Sequence, residues 1–250
     1  MATVAATPGN LPVVTSGPGR RYDHFFFSGM AGLLLATVFV GFARTYYLAG
    51  MFHATLPSAI IHLHGAAFSC WILMLVAQTS LVAAGCVDIH RRLGVFGFLL
   101  ACAMVVLGVL AGTDSLARGF APPGLDPATF YVVPITDMLI FSTLIFFAFR
   151  NRCNPAAHKR LILIATIGLM IAAIARWPFA PVYRNPIAAA LVTYLFLLLL
   201  VGYDLWSIRK VHRATLWAGA FLIVVQQIRV PIAKTAAWHV FAAWAGSMVH

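Results

Sequence analysis

Seven apolar stretches of near-uniform length, parted by short polar loops, constrain this chain more than any other feature. They fall at 25–47, 57–83, 93–113, 130–149, 159–177, 186–206 and 215–238. A helix needs about 20 apolar residues to cross about 30 Å of hydrocarbon. In lipid, every backbone polar group must also be paired within the protein. The pattern predicts an all-α fold, a polytopic transmembrane helical bundle of about seven spans. The balance of residue types agrees, with 62% hydrophobic and 9% charged, whereas soluble domains carry roughly 25% charged residues.

Residues 1–22 are rich in Ala, Thr, Pro and Gly. They lack the basic start and apolar run of a signal peptide and read as a flexible tail. Residues 23–250 then form a single transmembrane domain. Its last stretch is interrupted by Arg229, Pro231 and Lys234. That stretch is either a kinked span or a span followed by an interfacial helix.

The formal net charge is +11, but the basic residues are sorted by loop. The tail and the loops after the second, fourth and sixth stretches hold Arg20, Arg21, Arg91, Arg92, Arg150, Arg152, Lys159, Arg160, Arg209, Lys210 and Arg213. The loops opposite hold Arg118 and Arg184. Positive loops stay inside, so the N-terminus is expected in the cytoplasm of a bacterial inner membrane. The charge then reports topology and a lipid bilayer partner, and no nucleic acid is implied. The six acidic residues are all Asp, which excludes any site that needs a Glu.

Ionisable side chains inside apolar spans cost about 2.5–3.5 kcal/mol each at mid-membrane, so they mark sites or partners. Arg44, His62, His64, Asp137, Arg176 and Arg229 all fall towards the outer ends of their stretches. Asp137 is expected to pair with Arg229 or Arg176. The excess of Arg over Asp suits a ligand with anionic groups, such as heme propionates or a quinone head. His64, Trp71 and Gln78 recur at intervals of seven, which places them on one helical stripe facing the interior. His62 lies about 200° round from His64 and cannot share its centre. Gly108 and Gly112 form a GxxxG pair that permits close helix approach.

A second set of histidines opens the odd-numbered helices: His90-Arg91-Arg92-Leu93, His158-Lys159-Arg160-Leu161 and His212-Arg213-Ala214. One reading is that these basic turns anchor the helices to lipid head groups. The other is that His90 and His158 ligate a heme iron, as paired imidazoles do, with Arg91 and Lys159 on its propionates. His64, His90 and His158 are the candidate metal ligands.

The run His62-Leu63-His64-Gly65, Trp71, Gln78, His90-Arg91-Arg92-Leu93-Gly94 and His158-Lys159-Arg160-Leu161 resembles a group of uncharacterised bacterial multi-pass membrane proteins. More distantly, the histidines at the ends of paired helices resemble those of heme A synthase and related oxidase-assembly proteins. That resemblance implies heme at His64 or at the inner pair. The Glu that assists heme chemistry in heme A synthase has no counterpart in this chain.

Three functions are open at this point. The first is a component that carries heme b or quinone in electron transfer or oxidase assembly. The second is a structural subunit of a larger membrane complex. The third is a transporter of a small anion.

Overall fold

The computed structural model describes residues 22–54, 58–122 and 124–248. The tail with Arg20 and Arg21 therefore lies outside the described residues. Among the described residues there are nine α-helices: α1 Asp23–Phe42, α2 Ala59–Ala83, α3 Val87–Ala117, α4 Pro127–Arg150, α5 Pro155–Gly168, α6 Met170–Ile174, α7 Pro186–Ile208, α8 Arg213–Ile232 and α9 Ala236–Ser247. A π-helical turn, Ala43–Tyr47, extends α1. Seven spans are long and apolar enough to cross a membrane, with α5 and α6 together forming the fifth. The protein is thus a multi-pass membrane helical bundle.

Helix starts follow from local chemistry. Asp126-Pro127, Asn154-Pro155 and Asn185-Pro186 open α4, α5 and α7 in the same way. Each Asx side chain accepts a hydrogen bond from the backbone N–H three residues on. Each proline occupies the first helical position, where its missing N–H costs nothing. Thr235 caps α9 by accepting from the Trp238 amide at 3.2 Å.

The seventh stretch resolves into a span and a separate helix. α8 ends at Ile232, one residue after Pro231, and α9 turns away after Lys234. α9 packs on the ends of α3 and α4, and Trp238 donates to the Ala128 carbonyl at 2.8 Å. The kinked-span alternative does not hold, because the chain leaves the helix at Ala233 through a tight turn.

The fifth span is the centre of the bundle. Of its apolar window 78% is buried, against 17% for α2 and 22% for α3. It packs on α1, α4, α7 and α8. Close approach depends on glycine. A Cβ at Gly41 would fall on the Ala173 backbone carbonyl, and one at Gly168 would meet Leu222 at 2.9 Å. The GxxxG face of α3 packs as expected, with Gly108 against Met138 and Gly112 against Pro134 of α4. The same span is broken. Leu169 separates α5 from α6, and its amide turns to the Thr166 carbonyl at 3.1 Å.

Candidate functional site

Polar groups enter the bundle at both ends, and the two ends differ in how fully those groups are partnered. The basic end is organised by Asp204, which is 0% exposed. One carboxylate oxygen accepts from Arg160 Nε at 2.9 Å and Nη2 at 2.5 Å. The other accepts from the His212 backbone N–H at 3.0 Å and the Thr215 hydroxyl at 2.6 Å. Arg160, itself 3% exposed, spends Nη1 on the Ala156 carbonyl. A second pair sits nearby, where Lys159 meets Asp23 at 2.5 Å. Tyr203 donates to the same carboxylate at 2.7 Å.

These contacts change the reading of several residues. Arg160 was expected in a cytoplasmic loop but is a buried partner of α7. On the heme reading Lys159 would hold a propionate; in the structure its ammonium meets Asp23. The sixth stretch carries the most buried acid among the described residues. The sequence signal was a lone Asp in a 23-residue apolar helix, with no indication of which cation would meet it.

The three echoed histidines have three roles. His212 caps α8, its Nδ1 accepting from the Ala214 amide at 3.0 Å. Its pKa is lowered first by burial and then by the charge of Arg160. His158 Nδ1–H donates to the buried Ala148 carbonyl at 2.9 Å. This fixes the proton on Nδ1 and leaves Nε2 as the free basic nitrogen, the arrangement that metal-binding histidines adopt. His90 lies beside the Gln78 carbonyl and within electrostatic reach of His158. Its Nδ1 is buried without a hydrogen-bond partner, as is Gln78 Oε1.

The stripe on α2 faces inward as the spacing predicts. Trp71 is 5% exposed and donates to Thr166 on α5 at 3.1 Å. His64 packs with its ring tilted against Phe68 and leaves Nδ1 buried and unpartnered. His62 points elsewhere, against the Tyr46 ring, and its carbonyl accepts from the Tyr46 hydroxyl at 3.2 Å. His64 and Gln78 stand about 21 Å apart along the helix. The candidate ligands therefore split. His90 and His158 share the basic end, while His64 lies towards the other, beside the Leu107 backbone and within electrostatic reach of Arg176.

At the far end Asp137 pairs with Arg229 through one contact, Nη1 to Oδ1, at 2.8 Å. Arg176 and Arg44 do not join them. Both are exposed, Arg176 over the Phe42 ring and Arg44 over the Phe52 ring. The expected convergence of three arginines is thus reduced to a single ion pair. The short helix turn at the end of α6 carries Arg176 outward, where it bonds the Ala172 carbonyl of its own helix. Gln226, one turn from Arg229, is 3% exposed and makes no hydrogen bond through either amide atom.

Among the described residues no cluster of three or more His, Cys, Asp or Glu is placed to hold a metal ion. A cofactor iron held by two imidazoles is a separate case, since the porphyrin supplies its other four ligands. Two cavities are of note. One, about 430 Å³, lies between α9 and the start of α4, and the other, about 170 Å³, lies between α1 and α2. Neither is lined by His64, His90 or His158. Comparison of the chain with protein-family models, curated proteins and solved structures finds no match to any of them.

Proposed function

We propose that this protein carries a lipid-soluble redox cofactor, heme b or quinone, as an electron-transfer or oxidase accessory component of a bacterial inner membrane. The observation that carries the reading is the His90 and His158 pair. His158 has its proton held by a buried carbonyl, and His90, within electrostatic reach of it, has a buried nitrogen without a partner. A buried polar atom without a partner costs about 1–3 kcal/mol, so a ligand that supplies one is favoured. α2 and α3 are the least covered spans within the chain. A hydrophobic cofactor therefore has access to this face from the bilayer.

The residues fit either group through the same atoms. His158 Nε2 and His90 Nδ1 are the available imidazole nitrogens, and Gln78 stands beside His90. Bound heme would supply a one-electron centre, and bound quinone a carrier of two electrons and two protons. The chain's own part is to orient the imidazoles and exclude water. Arg91 and Arg92 follow His90 in the basic turn, where they would attract an anionic substituent.

The test is an absorption spectrum of gently purified protein, with a pyridine-hemochrome assay and solvent extraction of quinone. A Soret band or stoichiometric quinone, lost in His158→Ala, is expected. A colourless, quinone-free preparation from cells that make both would overturn the proposal.

A further inference from the structure

We infer that Gln226, Asp137 and Arg229 form a second, membrane-buried binding site, and that its ligand is a small neutral molecule of the amide or urea class. The site is independent of the histidine pair at the basic end.

The placement follows from the helix contacts. Leu222 of α8 and Ile140 of α4 both lie against Gly168 of α5, which sets these three at one level. α4 and α8 run in opposite directions through the membrane. Asp137 is three residues outward from Ile140, and Gln226 is four residues outward from Leu222. At about 1.5 Å per residue, their backbones are within about 2 Å of the same level. Arg229 lies a further turn outward. Helical side chains lean towards the N-terminus, so its guanidinium reaches back over Gln226 to meet Asp137. The unpartnered amide is therefore beside the ion pair.

Three features mark this level as more than packing. Gln226 is 3% exposed with both amide atoms unpartnered, and buried polar groups are otherwise almost always bonded. The ion pair is made by a single contact, which leaves most of the guanidinium N–H groups uncommitted to Asp137. Prolines and one helix break also lie near this level. Pro134 lies inside α4, Pro231 inside α8, and the fifth span breaks at Leu169. Irregular backbone at membrane depth is tolerated where it is buried in protein or lines a polar cavity, and broken helices build solute sites in membrane proteins.

The donor set selects the ligand. Asp137 and Arg229 already neutralise one another. A simple anion or cation would leave one buried charge uncompensated, which is strongly unfavourable. A quinone carbonyl only accepts, and so cannot answer the Gln226 carbonyl. The complement of a free primary amide is a group with an N–H beside a C=O. An amide or urea pairs with Gln226 in both directions and leaves the ion pair intact.

Saturation-transfer NMR on the purified full-length protein tests this with three probes of similar size: acetamide, acetate and ethylammonium. Acetamide is expected to show transfer that the two ions lack. Gln226→Leu should weaken acetamide binding about tenfold, which corresponds to 1.4 kcal/mol. Gln226→Met, close in shape, should do the same, with an unchanged elution profile showing that both variants remain folded. No transfer to acetamide, equal transfer to acetate, or undiminished transfer in either variant would each overturn the assignment and leave the triad as a structural latch.

Discussion

Two carboxylates are buried in this bundle, one towards each end, and their surroundings are opposite. Asp204 accepts four hydrogen bonds from Arg160, His212 and Thr215. It ties α5, α7 and α8 together where they meet the basic end. Asp137 has one bond to Arg229, and Gln226, one turn along α8 from Arg229, is unpartnered. A fully connected buried network fixes structure, whereas an unpartnered buried polar group is costly and is relieved by a ligand that supplies the missing bond. The difference separates a fastener from a site, although both are an Asp facing an Arg.

That contrast is open to direct attack. Asp204→Ala should be the most damaging change, because it strands a buried guanidinium. A loss of about 3–5 kcal/mol is expected, seen as a large fall in the thermal midpoint in detergent. A mild effect would show that Asp204 is not the fastener. Asp137→Ala should cost less, about 2–3 kcal/mol, since Arg229 retains some exposure and one bond is lost. The double change Asp137→Leu with Arg229→Leu should return most of that loss, as buried ion pairs often exchange for apolar residues without cost. The corresponding double change at Asp204 and Arg160 should not, because His212 and Thr215 would still lose an acceptor. Gln226→Leu should be neutral or stabilising by up to about 1 kcal/mol, as it removes unpaired polar atoms.

The smallest effect expected is on pH. Burial lowers the pKa of His212 below its ordinary value of 6.5. A proton is therefore bound more weakly by the folded state than by the unfolded one. The stability His212 contributes is complete above pH 6.5 and declines as pH falls through that value towards the depressed one. Protonation also removes the Nδ1 lone pair that caps α8. A thermal midpoint that falls modestly between pH 7 and pH 5, and falls less in His212→Asn, is the expected result. An identical slope in the variant would remove His212 from the fastener.

Apolar length and glycine spacing carried the architecture into view from the sequence. The spans, the inward stripe of His64, Trp71 and Gln78, and the contact face of Gly108 and Gly112 depend on periodicity, which is local. The pairing of Asp137 with Arg229 was one of two options, and α6 decided it by carrying Arg176 outward. The role of Asp204 is not legible locally, because its partners come from α5 and from the start of α8, and no local pattern announces them. The histidine repeat suggested three equivalent positions. One became a cap, one a carbonyl-anchored ring and one an unpartnered ring, because the neighbouring helix differs each time. The break at Leu169 had only Gly168 to signal it.

The Asx-Pro starts of α4, α5 and α7 have a consequence for the membrane itself. Asp126 and Asn185 begin helices at one face and Asn154 begins one at the other, so these helices start where a side chain dictates and not where the lipid ends. A bilayer of a different thickness cannot be met by lengthening or fraying those starts. The bundle must tilt, or the lipid around it must thin or swell. Seen this way, the caps make the protein a gauge of fixed calibre, one that deforms its surroundings in preference to itself.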